Sequence, residues 1–243
     1  MSGRTVELDG WTAHEYGRSA RGLPLEVFLP ASLGEGRVDG LLTATQHGEE
    51  SSGLLLARRL LERIPGTQTR WAVAPCLNPD GLLAGTRQNA AGVDLNRNFP
   101  AASWQSGTQF TYPPGIDPEL RVAANRTQRS STGSGPGSEA ETRATMALVS
   151  WLRPPLVIDL HAPLELIFVH GESARPLAER LGATASLPLE VDLDGECPGA
   201  FDDWLTEQGI PTLVYEVEQA GLPDLCGRHL PGLEAALRGA TAD

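Results

Sequence analysis

The tetrad His47–Gly48–Glu49–Glu50 follows directly on the apolar run Leu41–Thr45. A single turn of helix-like backbone brings an imidazole and a carboxylate three residues apart onto one face. Zinc takes ligands of both kinds, at about 2.0–2.2 Å. The same spacing also makes an ordinary surface hydrogen bond, so the pair alone does not decide. His161 closes a second apolar run, Leu156–Leu160, where a histidine can equally be a satisfied strand-end side chain. Glu216 closes a third, Thr212–Tyr215, where a carboxylate can simply cap the strand. These positions share an address, the carboxyl ends of strands, where open α/β sheets collect their ligands. Together they make a catalytic zinc site with an open position for water, and a base beside it.

The elements that must position these groups follow from periodicity. Leu41–Thr45, Trp71–Pro75, Leu156–Leu160, Leu166–Val169 and Thr212–Tyr215 read as strands. Gly53–Ile64 reads as a helix, because Leu54, Leu55, Ala57, Leu60, Leu61 and Ile64 recur at helical spacing and Pro65–Gly66 ends it. Ala174–Ala185 and Leu230–Ala240 also read as helices. Ser138–Glu139–Ala140–Glu141 fits a capping box opening a further one. Strands alternating with helices predict an α/β fold, a mixed, mostly parallel central sheet with helices on both faces. Pro100 to Gly137 is Gly/Pro/Ser-rich and reads as one long irregular loop. No linker divides the chain, so a single domain over residues 1–243 is expected.

Composition narrows the chemistry. The 19 basic residues, all Arg, face 31 acidic ones, for a net charge of −12. That balance disfavours nucleic acid and anionic lipid as partners. Without Lys, a Schiff-base lysine, a Ser–Lys dyad and a P-loop are excluded. Cys76, Cys197 and Cys226 form no C-x-x-C pair and suggest no disulfide framework. No apolar run approaches the roughly 20 residues of a membrane span, and the N-terminus has no signal-like apolar segment. A cytoplasmic protein is the expectation.

Asn78–Pro79–Asp80–Gly81, Arg87 and Gly92–Val93–Asp94–Leu95–Asn96–Arg97–Asn98–Phe99 join His47-x-x-Glu50, Asp159–Leu160–His161 and Tyr215–Glu216 in one order along the chain. In that order and spacing the sequence resembles the zinc carboxypeptidase (M14) family, from about Leu41 to Ala220. Ser131–Thr132–Gly133, Ser138–Glu139-x-Glu141–Thr142 and Cys197–Pro198–Gly199–Ala200–Phe201 with Trp204 are similar to a branch of it that cleaves murein peptides. The resemblance implies one zinc ion per chain on His47, Glu50 and His161, with Asp94 behind them orienting the His47 ring. It implies that Arg87 stabilises the oxyanion, that Asn96 and Arg97 grip a free substrate carboxylate, and that Glu216 is the general base and acid. Glu218, two residues on, competes for that last role, and the family pattern favours Glu216.

The resemblance further implies a small peptide substrate with a free carboxylate, above all the γ-D-glutamyl–meso-diaminopimelate amide of murein peptides. A general carboxypeptidase preferring basic residues, an N-acyl amino acid deacylase and a non-catalytic peptide-binding relative are the other readings. Asp202 either favours a cationic leaving side chain or is, with Asp203, a solvated carboxylate at a helix start. His14, His170 and His229 show no ligand-like partners in the sequence, although His170 can line the cleft from its strand end. The mobile tyrosine of digestive relatives has no counterpart between His161 and Pro198, which leaves Tyr112 or no phenol at all.

Overall fold

The computed structural model describes residues 3–4, 8–33, 36–107, 130–191 and 197–239. Tyr112 and most of the Pro100–Gly137 loop lie outside them. Among the described residues nine strands form one sheet in the order β1-β2-β3-β5-β4-β6-β9-β7-β8. They are β1 (Gly3–Arg4), β2 (Trp11–Arg18), β3 (Pro24–Pro30), β4 (Gly40–Ala44), β5 (Trp71–Ala74), β6 (Val157–His161), β7 (Leu166–His170), β8 (Leu189–Val191) and β9 (Thr212–Glu216). The four central strands, β5-β4-β6-β9, run parallel. β3 joins antiparallel on one side and β7 on the other, so the mixed sheet is parallel at its centre.

Side-chain alternation divides each central strand between two cores. On one face Leu42 and Ala44 of β4, Ile158 and Leu160 of β6, and Leu213 and Tyr215 of β9 meet three helices. These are α1 (Ser51–Arg63), α4 (Arg175–Ala185) and α6 (Leu222–Leu237). On the other face Leu41 and Val157 pack with α3 (Ala140–Leu152) and α5 (Phe201–Glu207). Leu60 of α1 is fully buried in the first core. Leu60→Ala is therefore expected to lose about 2–5 kcal/mol of stability, read as a lower urea midpoint with an unchanged slope.

Two expectations need correcting. α6 begins at Leu222, well before Leu230, and continues through Pro231. Its start carries Pro in the first turn, where the missing N–H costs nothing. Leu225, Leu230, Leu233 and Leu237 then keep one buried stripe across the proline. The capping box at Ser138 does not form. Ser138 Oγ accepts from Asn98 Nδ2 (3.0 Å) and donates to Glu139 (2.7 Å). Glu141 instead accepts from Ala20 N (2.8 Å) and Asn89 Nδ2 (3.2 Å). The β2–β3 hairpin is unmarked in the sequence, because β2 alternates Trp11 and Ala13 with Thr12 and His14 and then carries Glu15 and Arg18 in place of an apolar run.

Candidate active site

The site sits at the carboxyl ends of β4, β6 and β9. After β4 the chain leaves the sheet through Thr45, a β-branched residue held at φ 58°. That left-handed conformation is costly for such a side chain. Thr45 Oγ1 donates to Pro75 O (3.2 Å), and Thr45 O accepts from Asn78 N (3.0 Å). Asn78 caps α2 (Pro79–Ala84) by accepting from Gly81 N (2.9 Å). Its amide also donates to Gln46 O and Arg87 O, so one buried side chain braces the segments carrying His47 and Arg87. Gly48 lies against this turn: a Cβ there would come within 2.0 Å of the Gly81 carbonyl carbon, so only glycine fits.

His47, Glu50 and His161 are buried, with one ligand-type atom from each lying within 4.8 Å of the others. Glu50 bridges the imidazoles: Oε1 is 2.8 Å from His47 Nδ1 and Oε2 is 3.0 Å from His161 Nδ1. Behind each ring stands another carboxylate. Asp94 Oδ1 is 3.2 Å from His47 Nε2, and Asp159 Oδ2 is 2.9 Å from His161 Nε2. A carboxylate on Nε2 fixes that nitrogen as the N–H and turns the Nδ1 lone pair inward. Two inward imidazole nitrogens and one carboxylate are the donor chemistry zinc takes, so these residues fit the ion.

The charges agree. Burial disfavours an ionised Glu50, yet the two histidines beside it, His47 foremost, hold its carboxyl well below the usual range. Burial likewise opposes ionisation of Asp94, and Arg87 with His47 outweighs it. Burial, then the Arg87 guanidinium, lowers His47, which favours a neutral ring. At His161 burial is overcome by Asp159 and Glu50, which draw positive charge to this position.

Arg87 Nε donates to Asp94 Oδ2 (2.7 Å), and its Nη1 lies 3.5 Å from Glu50 Oε1. Asp94 thus serves His47 and Arg87 at once, and it also accepts from Asn96 N (3.0 Å). Asn96 Oδ1 accepts from Phe201 N at the start of α5 (2.8 Å), which leaves its Nδ2 as the donor end. Arg97 is buried; it donates to Asn96 O, and its Nη2 lies 3.1 Å from Cys197 Sγ. Glu216 is the register partner of His161 on the adjacent strand, and its Oε2 accepts from Leu164 N (3.2 Å). Glu218 is committed elsewhere, to His229 Nε2 (2.7 Å) and Arg228 Nη1 (3.1 Å).

Two expectations about polar side chains change here. Asp202 and Asp203 are not simply solvated at a helix start. Asp202 Oδ2 lies 3.3 Å from His170 Nε2, and Asp203 accepts from Ser103 Oγ. The histidines have partners as well: His229 stands between Tyr215 Oη (2.9 Å) and Glu218, and His14 meets the Trp151 ring edge-on.

Asp159 does not stand out in the sequence as a site residue, although its signal is present. Residues two apart on a strand share a face, so an Asp two before His161 reaches the same side. Thr43 Oγ1 on β4 donates to it (2.6 Å). Asp159→Asn is expected to weaken zinc binding about 10–100-fold, measured by competition with a fluorescent chelator.

The zinc carboxypeptidase family model matches residues 11–181. The chain is 34% identical over 224 residues to murein peptide amidase A of Escherichia coli K12, covering 92% of this chain and 88% of that one. The solved murein-tripeptide amidase of Escherichia coli O157 superposes with a TM-score of 0.81 at 33% identity, over 95% of this chain and 93% of the other. Bovine thrombin-activatable fibrinolysis inhibitor shares the fold, with a TM-score of 0.73 at 16% identity over 95% of this chain and 89% of its own. The ordered motifs, the mixed sheet and the His47–Glu50–His161 donor set agree with these matches, and the chain belongs to the zinc carboxypeptidase family.

Proposed function

We propose that this chain is a single-domain zinc hydrolase that cleaves the γ-D-glutamyl–diaminopimelate amide of small murein peptides. The observation that carries the reading is the buried donor set His47, Glu50 and His161, with Glu216 in register beside His161. Likeness to a murein peptide amidase across 92% of the chain supports the substrate.

In this reading His47, Glu50 and His161 hold one zinc ion, and Asp94 and Asp159 orient the two rings. The ion, when bound, supplies Lewis acidity, acidifying water and polarising a carbonyl. Asn96 Nδ2 and the Arg97 guanidinium take the free carboxylate of the leaving residue, as Arg can do bidentately. That grip sets the scissile amide opposite Glu216. Glu216 accepts a proton from the attacking water as oxygen bonds to the carbonyl carbon. Arg87, aligned by Asp94, donates hydrogen bonds to the developing oxyanion. Glu216 then returns the proton to the amide nitrogen, the C–N bond breaks, and a carboxylate and a free amine leave.

The free carboxylate demanded by Asn96 and Arg97 confines the substrate to small peptides ending at the cleaved residue. Among the described residues no helix is long and apolar enough to cross a membrane. We propose that the activity acts on cytoplasmic peptides released from the cell wall, a reading that the likeness to a murein peptide amidase supports.

A substrate panel tests the assignment: L-alanyl-γ-D-glutamyl-meso-diaminopimelate, hippuryl-Arg, hippuryl-Phe and N-succinyl-glutamate, with the zinc-loaded protein. Release of diaminopimelate at a kcat/KM well above that for the other three is expected. Cleavage of the hippuryl peptides with the tripeptide untouched would move the protein to a general carboxypeptidase.

A further inference from the structure

The short 3₁₀ turn Leu95–Arg97 carries the two side chains that take the substrate carboxylate in the reading above, and a polar residue flanks it at each end. At its start Asp94 accepts from Asn96 N (3.0 Å). At its end Asn98, fully buried, donates its backbone N–H to Leu95 O (3.1 Å). The Asn98 side chain reaches a distant part of the chain. Its Nδ2 donates towards Thr132 O (2.8 Å), Gly135 O (3.0 Å) and Ser138 Oγ (3.0 Å), and its Oδ1 accepts from Glu139 N (3.1 Å). Gly133 lies against this amide: its φ is 88°, and a Cβ there would come within 2.5 Å of Asn98 Nδ2. One side chain thus fastens the end of the turn to the segment 132–139 that leads into α3.

We propose that Asn98 is a positioning residue for the substrate carboxylate, holding Asn96 and Arg97 in their gripping geometry through its own contacts with residues 132–139. The assignment rests on the amide-hydrolase reading above and adds to it a residue that acts through its neighbours. A single 3₁₀ turn has too few hydrogen bonds to fix its own shape, so its flanks decide where it sits. The Asn98 side chain anchors the backbone next to Arg97, and a small rotation there is amplified at the guanidinium, the far end of a long side chain. Asn89 is the natural comparison. It is also buried; its Nδ2 donates to Glu139 (2.8 Å) and Glu141 (3.2 Å), and its Oδ1 accepts from Ala91 N (3.0 Å) and Val93 N (3.1 Å). It braces the same loop to the same helix start, but on the other side of Asp94 from the grip. Loss of either asparagine strands buried polar groups and destabilises the fold. Only loss of Asn98 frees the end of the gripping turn.

The test compares γ-D-glutamyl-meso-diaminopimelate with its analogue in which the carboxylate beside the scissile amide is a carboxamide. Zinc-loaded wild type, Asn98→Ser and Asn89→Ser are assayed with both, after metal content and thermal midpoint have been checked. Wild type is expected to favour the free acid by about tenfold or more, as hydrogen bonds to a charged group allow. Asn98→Ser should raise KM for the free acid about tenfold, within the 10²-fold that a misplacement of about 1 Å can cost. Its kcat on the free acid and its kinetics on the carboxamide should stay close to wild type, so the preference collapses. Asn89→Ser should lower the thermal midpoint and keep the preference. Ser138→Ala removes one partner of Asn98 Nδ2 and should reduce the preference about two- to threefold, the share of one hydrogen bond; it carries the test if Asn98→Ser does not fold. No preference in the wild type, an unchanged preference in the Asn98 or Ser138 variant, or an equal loss of preference in Asn89→Ser would each overturn the assignment.

Calorimetric binding of free meso-diaminopimelate to the same zinc-loaded proteins gives the comparison without turnover. If the wild type cleaves neither peptide, the hydrolase reading fails, and this binding experiment still decides the role of Asn98. Weaker binding in Asn98→Ser but not in Asn89→Ser supports it; no binding by the wild type, or equal binding by all three proteins, overturns it.

Discussion

Glu216→Gln is expected to lower kcat by about 10²–10⁴-fold, the usual contribution of a positioned acid–base group. Zinc content should remain at one ion per chain. The amide is nearly isosteric with the carboxylate, so Leu164 N–H still has an oxygen to donate to and the strand end keeps its geometry. What disappears is the ability to hold a proton between attack and departure. Glu218 provides the control from the same strand end. It is tied to His229 and Arg228, and with them it anchors α6 to β9. Glu218→Gln should lower the thermal midpoint with kcat close to wild type. Steady-state kinetics and metal analysis on the two variants separate the roles. A Glu216→Gln enzyme that turns over at the wild-type rate would remove the proposed base.

Metal removal should have an effect of comparable size, and it should appear in stability as well as activity. Glu50, Asp94 and Asp159 are three carboxylates packed around two imidazoles, all five at 2% exposure or less. Arg87 contacts this group directly, through Asp94 and Glu50. A divalent ion at the inward nitrogens and Glu50 balances that charge. Ion binding at 100 times its dissociation constant stabilises the native state by about 2.7 kcal/mol. For a chain of this size, each such kcal/mol shifts the midpoint by roughly 2–4 °C. Treatment with 1,10-phenanthroline should therefore abolish turnover and lower the midpoint by several degrees, and added zinc should restore both. His161→Ala should show the same two losses without chelator and no rescue by zinc. Turnover that survives chelation would contradict the assignment.

Much of this site is legible in the sequence, because strand-end chemistry leaves a local trace. An apolar run that stops at a His or Glu marks both the strand and the residue at its mouth, as at Leu156–His161 and Thr212–Glu216. The glycine of the His47–Glu50 tetrad acquires its reason only from the fold, where Gly81 approaches it across the turn. The second carboxylate behind the rings escapes a sequence reading for a related reason. Asp159 sits inside an apolar run, and its role requires Thr43 from β4 to hold its other oxygen. Long-range pairs leave no trace at all: Asp202 meets His170 across 32 positions, and Ser138 is claimed by Asn98 rather than by its own helix. The β2–β3 hairpin is hidden because an outer strand with polar positions lacks the apolar run that marks a central one.

The central claim concerns one ion bound at one place. Crystals of the zinc-loaded protein, with diffraction recorded on either side of the zinc absorption edge, test it without reference to any substrate. A single anomalous peak per chain is expected, bounded by His47 Nδ1, His161 Nδ1 and the Glu50 carboxylate, with Glu216 nearby but not coordinated. A peak at other residues, or none between these three side chains at full zinc loading, would contradict the account.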